Sequence, residues 1–248
     1  LSGVDPGLKL RVLDASPPPE VLVEYLRRPP ARGEEKVVDE AYALLAKESV
    51  LAPEAEELLV RLYPFFAREE GVYGSSRKKL GLARARTLNP KVAELLAEEK
   101  ALAVIEALSE RGDLPKEAQE RLATSYFGAD SLAQRSPSID VEAQKRILAL
   151  RWKGPARRMV ARGKMSPELV PLALGLHDLE LHEALVARYP LPEDALLQFL
   201  ASPWPRLVFR TLEHLPEDFS GDPDLIVRAV RRVVEAGGEL GKAQEEVV

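Results

Sequence analysis

Basic residues in this 248-residue chain are concentrated in two stretches that contain no acidic residue. The first basic band, within 71–93, consists of Arg77, Lys78, Lys79, Arg84, Arg86 and Lys91. The second basic band, within 143–167, consists of Lys145, Arg146, Arg151, Lys153, Arg157, Arg158, Arg162 and Lys164, with Trp152 among them. Clustered guanidinium and ammonium groups bind carboxylates or phosphates. Both bands are therefore predicted binding residues for an anionic surface.

The acidic neighbours of the bands support a second interpretation. Residues 94–142 carry eleven acids and five bases, and the whole chain has a net charge of −5. The bands would then neutralise adjacent segments through surface ion pairs, and we weigh the two interpretations equally. We favour binding at Arg157 and Arg158, and predict that reversing both to Glu weakens partner binding without lowering the melting temperature.

Metal binding and catalysis find little support in the residue pattern. The chain has no cysteine and three histidines, of which His177 and His182 are five residues apart. A zinc pair on one helix face needs a spacing of three or four, so we predict no metal site. The acids lack a neighbouring histidine or lysine cluster, so we predict no catalytic residue and no cofactor.

Two further features receive structural interpretations. The stretch G-V-Y-G-S-S at 71–76 is rich in glycine but lacks the G-K-[ST] ending of a phosphate loop. We interpret it as a mobile connection. Trp204 lies between Pro203 and Pro205, and we interpret it as a packing side chain at a break between helices rather than a ligand-stacking one.

Proline followed by Glu marks the elements that position these residues. Proline is tolerated in the first turn of a helix, and Glu there is favoured by the helix dipole. Such starts, or close relatives, occur at 18–20, 52–54, 89–91, 114–117, 139–142, 166–168 and 191–194. Glu117, Glu142, Glu168 and Glu193 are separated by 25, 26 and 25 residues, which indicates an internal repeat.

A second sequence word recurs inside each repeat. It reads A-L-S-E-R at 107–111, S-L-A-Q-R at 131–135, M-V-A-R at 159–162, L-V-A-R at 185–188 and T-L-E-H at 211–214. Each repeat is therefore predicted to be two short helices joined by a break. A unit of this size cannot bury both of its faces alone, so successive units must stack.

The repeat P-E-x-x-L-x-x-L-A, a break with Pro or Asp, then L-V-A-R-x-P resembles the leucine-rich repeat variant, a relative of HEAT and armadillo repeats. The resemblance covers about 89–217. It implies an all-α fold, a right-handed α-solenoid of stacked short two-helix repeats. Some members carry an iron–sulfur cluster on a cysteine segment, and this chain has no cysteine.

The expected organisation has three segments: a HEAT-like segment at 1–88, about five repeats at 89–218, and a capping helix with a tail at 219–248. We expect Leu122, Ile147, Leu172 and Leu197 in one continuous core. We expect the cap, 222–236, to present Arg228, Arg231 and Arg232 outward. The chain begins with Leu1, so we consider that it is a piece of a longer protein.

Three functions follow from this organisation. The leading hypothesis is a non-enzymatic scaffold that binds a protein or peptide through the solenoid surface and its basic patch. The alternative is nucleic-acid binding, including a resemblance to DNA glycosylases built of HEAT-like helices, although the pI of about 5.5 speaks against it. The third is a structural segment of a larger complex. Composition further predicts a cytoplasmic protein without a membrane partner, from a thermophilic source.

Overall fold

The computed structural model describes residues 6–28, 33–67 and 71–245, and these form α-helices without any β-strand. The helices are α1 Pro6–Asp14, α2 Pro19–Leu26, α3 Glu35–Leu45, α4 Pro53–Phe66, α5 Gly71–Ala83, α6 Pro90–Ala97, α7 Leu102–Ser109, α8 Lys116–Leu122, α9 Tyr126–Arg135, α10 Val141–Ala149, α11 Lys153–Ala161, α12 Val170–Leu174, α13 Leu179–Arg188, α14 Glu193–Leu200, α15 Pro205–Glu213 and α16 Pro223–Glu245. A 3-10 turn at Pro167–Leu169 leads into α12. The all-α prediction is confirmed over the described ranges.

Helix starts coincide with the predicted proline positions. Pro53 and Pro90 are first residues of helices, where a missing N–H costs nothing. Pro115 and Pro192 stand one position earlier, as N-cap residues of α8 and α14. Asn89 caps α6 by accepting the Lys91 N–H at 2.9 Å. The second sequence word falls on the last turns of α7, α9, α11, α13 and α15.

The glycine-rich stretch at 71–76 is helical, so its interpretation as a mobile connection is wrong. It forms the first turns of α5, which continues through Arg77 to Ala83. This helix packs against α6 and α7. Tertiary packing therefore outweighs the low helix propensity of the two glycines.

The chain divides into two compact units, residues 1–143 and 144–248. In the first unit, α4, α6 and α8 pack in succession, and so do α5, α7 and α9. Tyr42 and Phe66 stack with ring centroids 4.5 Å apart in its core. In the second unit, α11, α13 and α15 pack in succession, and α16 covers α14 and α15. The predicted boundaries at 88 and 218 stay predictions.

Burial repeats with the N-cap positions. Leu122 and Ile147 are fully buried, as predicted, but Leu172 is 43% exposed and Leu197 is half-buried. Both errors come from counting from the repeated Glu instead of the N-cap. Ala173 and Phe199, each seven residues after its N-cap, take the buried position instead.

Two buried glutamines link successive repeats. Gln119, the fourth residue of α8, accepts the backbone N–H of Asp140 at 2.8 Å, just before α10. Gln144, the fourth residue of α10, accepts the backbone N–H of Ser166 at 2.6 Å, just before the 3-10 turn. Each glutamine thus satisfies an N–H at the start of the next repeat, a group that is costly to bury alone.

The positions equivalent to these glutamines differ where the next repeat begins with proline. Ala93 is the fourth residue of α6, and the next N-cap is Pro115. Val170 is the fourth residue after Ser166, and the next N-cap is Pro192. Because proline has no N–H, no acceptor is needed and an apolar side chain fills the position.

The terminal helix α16 differs in part from the predicted cap. Its inner face adds Ala229 to a core with Leu200 and Val208. Arg228 and Arg231 are exposed, as predicted, but Arg232 donates to the carbonyl oxygen of Ser202 on the packed side. The outward face also carries an apolar row, formed by Val227, Val230 and Val234.

Candidate functional site

Within the second basic band, Arg157 forms a contact inside the second unit. Its Nε and Nη2 donate to the two carboxylate oxygens of Asp178 at 2.6 and 2.5 Å, and its Nη1 donates to Glu180. The Asp178 side chain is 3% exposed, and Lys153 Nζ lies 3.7 Å from it. Hydrogen bonds from Arg157 hold the pKa of Asp178 below its usual value. For Arg157 and Lys153, the neutralising interpretation is the one that these contacts support.

Similar arginine contacts join neighbouring repeats in the first unit. Arg121 of α8 reaches Glu94 at 3.2 Å and also Glu98, which lies one turn further along α6. Arg135 of α9 reaches Glu106 and Glu110 of α7 at 2.8 and 2.9 Å. Each guanidinium spans two acids one helical turn apart, so an ion pair between repeats is a regular feature of this fold.

The remaining residues of the second band are spread over several positions. Arg151 lies in the turn after α10 with a φ of 55° and makes no ion pair with the described residues. Trp152 is the N-cap of α11 and is half-buried. Arg158 and Arg162 are exposed and have contacts within the chain. The structure therefore does not gather this band into one free basic surface.

The first basic band divides in the same way. Lys78 pairs with Asp39, and Lys79 is buried and bonds to Glu99 at 2.8 Å. Lys91 pairs with Glu94 at 2.9 Å, a hydrogen bond that raises the pKa of Lys91. The exposed guanidinium groups that make no ion pair with the described residues are those of Arg77, Arg84 and Arg86. Arg84 and Arg86 follow the end of α5, whereas Arg77 enters a groove.

This groove lies within the first unit, between α3 and α5. The α5 helix packs on α6 and α7 and the α3 helix on α1, α2 and α4, which leaves a space of about 340 Å³ between them. Phe66, the last residue of α4, is buried beneath this space together with Leu82. The Lys78 ammonium lies 5.9 Å from the centre of the Phe66 ring. We call this space the α3–α5 groove.

Charge in the α3–α5 groove is mixed, with an excess of bases. Lys78 is neutralised by Asp39 within the groove. Glu40 contributes one further acid. Lys36, Lys47 and Arg77 line the groove without an ion pair to any described residue. The arrangement is suited to binding anionic groups above an apolar floor.

Sequence reasoning found Arg77 and Lys78 but missed the other half of this groove. Lys36, Glu40, Ala43 and Lys47 recur at spacings of four, three and four, which places them on one face of α3. That spacing is a usable signal for a helix face. The neighbouring position of α5 could not be inferred, since no local pattern shows which two helices border an open space.

Trp204 does not behave as predicted. Its side chain is 57% exposed, so the interpretation as a packing residue is wrong. Ser202 Oγ accepts the Trp204 backbone N–H at 3.2 Å and holds the turn before α15. The turn is therefore stabilised through its backbone while the ring lies at the surface.

The histidines occupy structural positions. His182 is half-buried, its Nε2 lies 3.1 Å from the Leu174 carbonyl oxygen, and its ring lies 4.8 Å from that of Phe199. Burial lowers the pKa of His182. Over the described ranges, no group of three or more histidine and acidic side chains is placed to hold a metal ion.

None of the helices described is both long and apolar enough to cross a bilayer. Comparison with known proteins adds no relative: no protein-family model, curated protein or solved structure matches this chain.

Proposed function

We propose that this protein is a non-enzymatic scaffold, a right-handed solenoid of helical repeats that binds a protein or peptide partner through the α3–α5 groove. The observation that carries the proposal is the set of three bases, Lys36, Lys47 and Arg77, that line a groove with an aromatic floor and have no ion pair among the described residues. Elsewhere in the two bands, Lys78, Lys79, Lys91, Lys153 and Arg157 already pair with carboxylates of the chain. Unpaired bases beside apolar surface are typical of a docking site.

The solenoid part of the proposal rests on the helix contacts within each unit. Alternate helices pack in succession, as α5, α7 and α9 do in the first unit. Buried glutamines and arginine–carboxylate contacts join one repeat to the next at spacings close to the repeat length. Such nearest-neighbour contacts are typical of repeat proteins, whose long surfaces bind other macromolecules.

A glycosylase-like activity receives less support from the contacts near the tryptophans. The buried acid of this region, Asp178, accepts hydrogen bonds from Arg157 and from the Leu181 N–H. Its carboxylate is thus occupied inside the fold and is not placed to act on a flipped base beside Trp152.

Site-specific photo-crosslinking tests the proposed function. Glu40 lines the groove and is exposed, so a benzophenone amino acid at this position should crosslink a defined protein in a lysate of the source organism. The same group at Glu57, an exposed position of α4 outside the groove, serves as the control. A protein adduct obtained equally from both positions, or a nucleic-acid adduct at Glu40, would contradict the proposal.

A further inference from the structure

We propose that the α3–α5 groove holds an extended acidic segment of the partner, with one apolar side chain over Phe66. This inference rests on the proposed function, because it names the chemistry of the partner for the same groove. Its evidence comes from the spacing of the bases, the small residues of the walls and the acids that the groove also contains.

The bases sit at the two ends of the α3 wall. Lys36 and Lys47 are eleven residues apart, which corresponds to about 16 Å at the rise of an α-helix. An extended chain covers this distance in about five residues at roughly 3.3 Å each. A segment with carboxylates about five residues apart would therefore reach both ammonium groups, and Arg77 on the opposite wall adds a bidentate donor.

Gly81 leaves room for the main chain of such a segment. It lies inside α5, where glycine disfavours the helix relative to alanine. A Cβ built on Gly81 would meet no atom within 4 Å, so packing within the chain does not require glycine there. Ala43 gives the α3 wall a second small residue. Glycine at an open position is suited to close approach by the backbone of a bound segment.

The floor of the groove favours an apolar side chain. Phe66 and Leu82 are buried residues whose remaining surface faces this space. Lys78 lies near the Phe66 ring but is neutralised by Asp39, so its charge does not oppose apolar burial there. An aromatic or leucine side chain would cover this floor and exclude water from the surrounding ion pairs.

The acids of the groove distinguish a peptide from a nucleic acid. Asp39 and Glu40 lie on α3 between Lys36 and Lys47. A nucleic-acid strand carries a phosphate at roughly every 3.4 Å of helix rise, so its backbone would meet these carboxylates as well as the bases. A peptide avoids this repulsion, because it can place uncharged residues there and carboxylates at the ends.

Fluorescence anisotropy with a defined probe tests the inference. The probe is the fluorescein-labelled hexapeptide Asp-Glu-Gly-Phe-Glu-Asp, compared with the same peptide carrying Ala in place of Phe and with a single-stranded DNA dodecamer. We expect Gly81→Leu and Arg77→Glu to weaken binding of the first probe at least about tenfold. The matched controls Gly112→Leu and Arg61→Glu alter open or exposed positions of the same unit and should leave it unchanged.

Each result has a defined meaning. Tighter binding of the Phe peptide than of the Ala peptide, lost in both groove variants and weakened by salt, supports the inference. Equal losses in groove and control variants, tighter binding of the DNA, or no binding of the peptide overturn it. If the peptide does not bind but Glu40 still crosslinks a protein, the scaffold function stands and the acidic segment is wrong. If both experiments are negative, both proposals fail.

Discussion

Arg157 donates two parallel hydrogen bonds to Asp178, at 2.6 and 2.5 Å, and thereby ties α11 to the N-terminus of α13. Asp178 also accepts the Leu181 N–H at 3.0 Å, so the same carboxylate caps its own helix. One side chain thus carries two separate structural roles in the second unit.

The first prediction replaces the one made from sequence, that charge reversal here leaves stability unchanged. Arg157→Glu places a second carboxylate beside buried Asp178 and should lower the free energy of unfolding by about 1–3 kcal/mol. Urea unfolding followed by tryptophan fluorescence measures this, because Trp152 and Trp204 both lie in the second unit. Arg151→Glu, an exposed residue of the same band, is the control. Equal stability of the two variants would contradict the assigned contact.

The second prediction concerns acid. Because Arg157 holds the pKa of Asp178 below its usual value, the unfolded chain binds this proton more readily than the folded one. The stabilisation is present above the unfolded pKa of about 3.9 and is lost as pH falls through the folded pKa. Thermal melts between pH 3 and 7 should therefore show a smaller acid-induced loss in Asp178→Asn than in the parent. Parallel curves for the two proteins would exclude this contribution.

The third prediction contrasts two glycines of the first unit. A Cβ at Gly128 would lie 2.2 Å from the Leu122 carbonyl oxygen, whereas one at Gly81 would meet nothing within 4 Å. Gly128→Ala should destabilise by about 1–3 kcal/mol, since the clash is with backbone that cannot move aside. Gly81→Ala should instead stabilise by about 0.5–1 kcal/mol through helix propensity. Calorimetric melts that shift both variants in the same direction would contradict this difference.

The fourth prediction tests the glutamine contacts between repeats. Gln144→Leu removes the acceptor for the Ser166 N–H and should cost about 1–3 kcal/mol. Gln198→Leu changes an exposed glutamine of α14 in the same unit and is the matched control. Native-state hydrogen exchange should show faster exchange at Ser166 in the first variant. Unchanged exchange at Ser166 would show that the contact is not needed.

The fifth prediction concerns the terminal helix. Removal of residues 221–248 uncovers Leu200 and Val208, which pack with Ala229. The shortened protein should aggregate or melt at a lower temperature, as measured by light scattering and calorimetry. A shortened protein that stays monodisperse with the parent melting temperature would show that the repeats need no such cover.

Local patterns were sufficient to predict the helices and part of the core. Proline and Asn89 mark helix starts because their backbone preferences are local, and Leu122 and Ile147 follow from the helical period. Leu172 was misplaced because a 3-10 turn with its own proline precedes α12, and counting from the N-cap is needed there.

The groove could not be predicted from charge along the chain. Lys36 and Lys47 lie in a segment rich in acids, so counting charges by block cancels them. Whether a base is free depends on which carboxylates the fold brings near it. Arg157 and Lys79 looked similar to Arg77 in sequence, yet Asp178 and Glu99 occupy the first two.

The glutamine positions make the repeats unequal as building blocks. A repeat that opens with proline, as at Pro115 or Pro192, can follow a neighbour whose facing side chain is purely apolar, such as Ala93 or Val170. A repeat that opens with Asp140 or Ser166 brings a donor that its predecessor must receive. Duplicating, deleting or exchanging units in this chain is therefore constrained to junctions where donor and acceptor match, and shuffled arrays that violate the match should pack poorly at that one junction.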